Sequence, residues 1–170
     1  MKKNILILSR NKYFIYGFKK SITSDEVRIF DEDELECFIY MCSTEYNQQV
    51  MIIYDQAERS ILPLILEDFK ECLISVDDFC SMDLLYNETF TTSLYNRVKI
   101  KKARAHEVII LFYYIHLGMT YIEISKKISM DKRRISYVLT SYIKSKNFTN
   151  KNIFYLTSID DAGMELKKIA

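Results

Sequence analysis

A chain of 170 residues has room for one medium domain or two small ones, and with 49% hydrophobic residues, three glycines and one proline it suits packed, helix-rich cores. No apolar run approaches the roughly 18 to 20 residues that span a bilayer, and Cys37, Cys42, Cys72 and Cys80 show no CxxC spacing and lie far from His106 and His116, which argues against a zinc site or disulfide framework. The net charge of +1 conceals a split: residues 1–96 carry 9 Lys/Arg against 17 Asp/Glu, residues 97–151 carry 13 against 3, and residues 152–170 carry 2 against 3, the pattern of a basic module facing a polyanion and joined to an acidic one.

The opening "MKKNILILSRNKYF" has a basic start, but its apolar run breaks too soon for a signal peptide, so a cytoplasmic protein with no membrane association is expected. "NILIL" (4–8) suits a buried parallel strand. Phe14, Phe18 and Ile22 then recur at helical spacing. "EVRIF" (26–30) reads as a second strand, followed by the acidic helix start "DEDELECFIYMC". "VMIIYD" (50–55) is a third strand, "LPLILEDFKE" a helix near Pro63, and "CLISV" (72–76) a fourth strand. Strands alternating with helices predict a parallel α/β sheet. Residues 83–99 have no clear period and contain the charge switch. The expected division is an α/β domain over 1–90, a linker over 91–99 and an all-α domain of four helices over 100–170.

Beyond the switch the pattern is helical. "RAHEVIILFYYIHLG" (104–118) predicts one apolar helix stopped by Gly118. Thr120 and Glu123 fit a capping box, with Met119 and Ile124 as its hydrophobic staple; Asp131 can cap again, with Met130 and Ile135 repeating the staple. These caps start a short helix over about 121–128 and a longer one over about 132–146, joined by "SM", which is helix-turn-helix spacing. Asn147 can end the second, and a fourth helix can start at Thr149 or Asn150. Ile135, Val138, Leu139, Tyr142 and Ile143 form an apolar stripe, while Lys132, Arg133, Ser136, Tyr137, Thr140, Ser141 and Lys144 lie opposite. Cations near both ends of that face suit phosphates, and the hydroxyls between them suit base edges. The expected partner is therefore double-stranded DNA.

Glu107, Val108, Gly118, Thr120, Glu123, Ile124, Ser125, Ile128 and Ile135, with Asn150 opening the last helix, give this segment a resemblance to the C-terminal DNA-binding domain of LuxR/FixJ-type transcription regulators. Arg134, Val138 and Ala105 depart from that family's usual residues, and sigma-factor region 4 shares much of the pattern. The resemblance implies base reading by Ser136, Tyr137 and Thr140. It implies phosphate contacts by Thr120, Lys132, Arg133, Arg134, Lys144 and Lys151.

The N-terminal half resembles a response-regulator receiver that has lost its machinery. Where receivers place two acidic residues to hold Mg²⁺, this chain has Ser9 and Arg10. Asp55 matches the phospho-acceptor and reads as a vestige beside Arg10. The half is short for a receiver, which implies a missing or remodelled last strand and helix. Tyr13, Phe14, Phe18, Phe38 and Tyr40 exceed what a small core needs, and the resemblance implies homodimerisation or heterodimerisation with another regulator, and RNA polymerase as a further partner. No constellation supports catalysis, and no metal or cofactor is expected. Two rival expectations stand beside this one: a phosphorylation-switched response regulator using Asp55, and a protein-interaction module such as an anti-activator that binds no DNA.

Overall fold

The structure, a computed structural model, describes residues 2–22, 25–45, 48–55, 62–81 and 95–146. Strands β1 (Lys3–Leu8), β2 (Val27–Phe30), β3 (Gln48–Tyr54) and β4 (Leu73–Ser75) run parallel in the order β2-β1-β3-β4. This is the strand order of a doubly wound, receiver-like α/β sheet. The central strands β1 and β3 are apolar at successive positions because both sheet faces are covered. Ile5, Ile7, Met51 and Ile53 pack on one side, and Leu6, Leu8, Val50, Ile52 and Tyr54 on the other.

Helix α1 (Lys12–Ser21) covers the first side. Asn11 caps it by accepting from the Tyr13 and Phe14 N–H groups, both at 3.1 Å, and Lys19 and Lys20 suit the negative end of its dipole. Phe14 and Phe18 turn inward, and Phe18 meets Phe79 of α4 (Val76–Ser81) at 5.4 Å between ring centroids.

The second side carries α2 (Leu35–Thr44), which follows a 3₁₀ turn over Glu32–Glu34 capped by Asp31. Leu35, Phe38, Ile39, Met41 and Cys42 are all buried, a wider apolar surface than one face of a helix needs. The reason is that α2 lies between the sheet and a further helix, α5 (Lys102–Leu111). The expected helix near Pro63 is short, α3 (Leu62–Ile65), and gives way to a 3₁₀ segment over Glu67–Cys72 that buries Phe69.

A fifth strand, β5 (Asn96–Val98), runs antiparallel beside the start of β3, with Gln48 opposite Val98 and Val50 opposite Asn96. The remainder of that edge, Ile52 to Tyr54, belongs to β4. Residues 96–98 are therefore sheet, not part of the linker expected over 91–99. Three residues are too few to show a strand period.

The helix expected to stop at Gly118 does so, but it is not regular α-helix throughout. Its last stretch widens into a π turn over Phe112–His116, which places Phe112, Tyr113, Ile115 and His116 in buried positions. Gly118 ends it at φ +63°, with the Met119 N–H donating across it to the Tyr113 carbonyl at 2.9 Å. Then come α6 (Tyr121–Lys127) and α7 (Lys132–Ser145), close to the expected bounds. One buried cluster joins Leu6, Leu8, Phe38 and Ile52 to Val108, Phe112, Ile124, Ile135 and Leu139. Each such side chain contributes roughly 1.5–3 kcal/mol on burial, so the sheet and the helices stabilise one another. Three of the four helices expected beyond residue 100 fall among the described residues; the one expected from Thr149 or Asn150, with Lys151, lies outside them.

Candidate nucleic-acid interface

Both helix starts are built as their sequences require. Thr120 Oγ1 accepts from the Glu123 N–H at 3.3 Å, and Glu123 Oε2 accepts from the Thr120 N–H at 2.7 Å. The same carboxylate oxygen accepts a hydrogen bond from the Thr120 hydroxyl at 2.8 Å. The N–H and hydroxyl of Thr120 hold the Glu123 carboxyl below the usual carboxylate range. Asp131 Oδ1 accepts from the Arg133 N–H at 2.7 Å and caps α7. Between the helices Ser129 stands at φ +50°, and the Ser125 hydroxyl donates to the Met130 carbonyl at 2.7 Å. Met119 and Met130 are half-buried against the core that contains Ile124 and Ile135.

On α7, Ile135, Leu139 and Tyr142 are buried. Lys132, Arg133, Arg134, Tyr137, Thr140, Ser141 and Lys144 are exposed, with Tyr137 at 74%. Ser136 is half-buried on the flank, so Ser141, one turn after Tyr137, stands nearer the centre of the exposed face. Thr120 is exposed, but its two donors both go to Glu123. A phosphate there would have to displace a carboxylate.

Several side chains tie the helices beyond residue 100 to the α/β half, and sequence reading did not find them. Arg104 of α5 pairs with Glu67 and Asp68, each at 2.8 Å, and with Glu107 at 3.0 Å. Burial works against its charge, but its hydrogen bonds to Asp68 and Glu107, with the charges of Asp68 and Glu67, more than offset that and strengthen its hold on the proton. Lys146 Nζ meets the second oxygen of Glu67 at 2.5 Å, and the Tyr142 hydroxyl donates to the Leu64 carbonyl at 2.9 Å. On the opposite flank the Tyr113 hydroxyl donates to Glu36 of α2, and Lys127 of α6 sits 4.9 Å from the Tyr113 ring centroid. Burial and the Glu36 bond both push the Tyr113 hydroxyl up, so it remains a donor. Apart from Arg104–Glu107 and Lys127–Tyr113, these partners lie from 36 to 79 positions apart, beyond any local pattern. A cleft of about 230 Å³ runs along α7 between Tyr137, Ser141 and Ser145 on one wall and Glu67, Arg104 and Glu107 on the other.

At the carboxyl end of the sheet, Asp55 is half-buried and accepts from the Arg10 backbone N–H at 2.8 Å. Ser9 is buried, its hydroxyl accepting from the Asn11 N–H at 3.0 Å. Arg10 also lies near Glu32, whose carboxyl is raised by burial and by Asp33 while Arg10 pulls it the other way. Among the described residues no cluster of three or more His, Cys, Asp or Glu is placed to hold a metal ion, and no helix is long and apolar enough to cross a membrane. Comparisons with protein-family models, curated proteins and solved structures found no match to this chain.

Proposed function

We propose that this chain is a sequence-specific DNA-binding transcription regulator of helix-turn-helix type. Its receiver-like half acts without phosphorylation, as a surface for dimerisation or for another regulator. The observation that supports this best is the exposed face of α7. Four cations (Lys132, Arg133, Arg134, Lys144) stand at its two ends, with Tyr137, Thr140 and Ser141 between them and a packed stripe behind. In this reading α7 enters the major groove, its hydroxyl-bearing residues reach base edges, and the flanking cations meet the sugar-phosphate backbone. Ser136 reads from the side of the face, and Lys151 adds a phosphate contact. Ser9 and Arg10 supply no carboxylate pair for Mg²⁺, so Asp55 lacks the metal clamp that phosphoryl transfer uses. The working place is the cytoplasm, with RNA polymerase as a partner at the promoter.

The test is the binding of the full chain to duplex DNA across a salt series. With about five phosphates neutralised, log K is expected to fall against log salt with a slope of about −4 to −5. A slope near zero, or equal binding to any polyanion, would rule the reading out. A small-molecule phosphodonor with Mg²⁺ is expected to leave both the protein mass and the slope unchanged. One added phosphoryl group on Asp55 with altered affinity would instead favour a phosphorylation switch.

A further inference from the structure

We propose that Glu67 of the α/β half competes with DNA phosphate for Lys146 at the end of α7, and so limits the protein's affinity for DNA. This rests on the nucleic-acid reading above. Glu67 sits on the 3₁₀ segment before β4 and uses both carboxylate oxygens on the basic module, Oε1 on Arg104 and Oε2 on Lys146. Lys146 directly follows α7, two positions after Lys144. Around these two cations stand three carboxylates, Glu67, Asp68 and Glu107, so the cluster holds one excess negative charge. Glu67, Arg104, Glu107 and Lys146 line the cleft that Tyr137 and Ser141 also line.

A helix in the major groove has a sugar-phosphate backbone along each flank. On this flank the backbone meets a net negative cluster whose cations are already engaged. Glu67 and Lys146 keep side-chain exposures of 43% and 32%. A pair so open to solvent is held weakly, and a phosphate can exchange with it. Glu67 therefore withholds Lys146 from DNA, and it does so from the half of the molecule that would receive regulatory partners.

The experiment measures anisotropy of a mixed-sequence duplex of about 30 base pairs with the full chain across a salt series. Glu67→Gln is expected to tighten binding about 3- to 10-fold at about 0.1 M salt and to steepen the slope by about one unit. Glu71→Gln, the same charge change on an exposed side chain of the same 3₁₀ segment, is expected to shift affinity less than about two-fold. Adding Lys146→Ala to Glu67→Gln should abolish the gain. Glu67→Ser runs in parallel, so that a folding failure of one variant leaves the other as the readout. Equal gains from Glu67→Gln and Glu71→Gln, or a gain that survives Lys146→Ala, would overturn the competition while leaving DNA binding intact. If no variant binds duplex even at low salt, the nucleic-acid reading falls and this inference with it.

Discussion

Tyr137 is 74% exposed, so removing its ring changes little of the packing and tests what the exposed face does. Tyr137→Ala or Thr140→Ala is expected to cost about 1–3 kcal/mol on a selected duplex and little on mixed sequence. Arg133→Ala or Lys144→Ala is expected to weaken both duplexes alike and to flatten the salt slope by about one unit each. The ratio of the two affinities separates the roles, and an unchanged ratio for Tyr137→Ala and Thr140→Ala would remove base reading from this face. These positions were legible in the sequence because a helix repeats every 3.6 residues and α7 is long enough to show it. Thr120 shows where that legibility ended. Its capping role was readable from the spacing to Glu123, but only the geometry shows that the cap uses both of its donors.

Helix α6 has seven residues and is too short to persist on propensity, so its start depends on the Thr120–Glu123 box and on packing. Because the Glu123 carboxyl is held below its unfolded value of about 4.3, its contribution to stability is present above that pH and is lost as pH falls through the lower folded value. Glu123→Gln keeps a hydrogen-bonding group but removes the titration. The melting temperatures of wild type and Glu123→Gln are therefore expected to differ at about pH 6 and to converge only as the pH falls below the ordinary carboxylate range. A difference that stays constant over this range would mean that the carboxylate is not what the cap needs. Elements with local signals were legible: apolar runs for β1 and β3, and caps and Gly118 for the helices. Strand β5 and the π turn were not, since a three-residue strand is defined by its partner and a widened turn by the core it fills. The breadth of the apolar surface on α2, with Phe38, Ile39, Met41 and Cys42 all inward, was the available hint of a layer on both sides.

At the scale of the molecule, the charge split predicts two modules joined by a linker. The structure adds that part of the acidic half faces the basic half: Glu67 and Asp68 pair with Arg104, Glu67 also with Lys146, and Glu36 receives the Tyr113 hydroxyl. The aromatic surplus is partly explained in the same way. Phe38 is buried in the shared core, and Tyr40 packs against His106 of α5 at 5.5 Å between ring centroids, whereas Tyr13 and Tyr16 remain exposed at 91% and 65%. A fragment beginning at residue 100 would expose the face of α5 that packs on α2. It is expected to melt without a cooperative transition, or to aggregate, while the full chain melts in a single transition. Circular dichroism on both decides this. A cooperative melt of the fragment would show that the helices hold their own core.

The pairing of Val50 with Asn96 also sets an order of events during synthesis. The two positions are 46 apart, the difference of their numbers, and at roughly 5–20 residues per second the ribosome needs about 2–9 s to cover that distance. Throughout that interval the start of β3, Gln48 to Val50, leaves the ribosome with one edge unpaired, and an unpaired strand edge is a template for another chain. Nascent copies on one messenger are therefore vulnerable to each other for seconds, and slower growth at low temperature or an edge-shielding chaperone would act on that window before any native contact of α7 has formed.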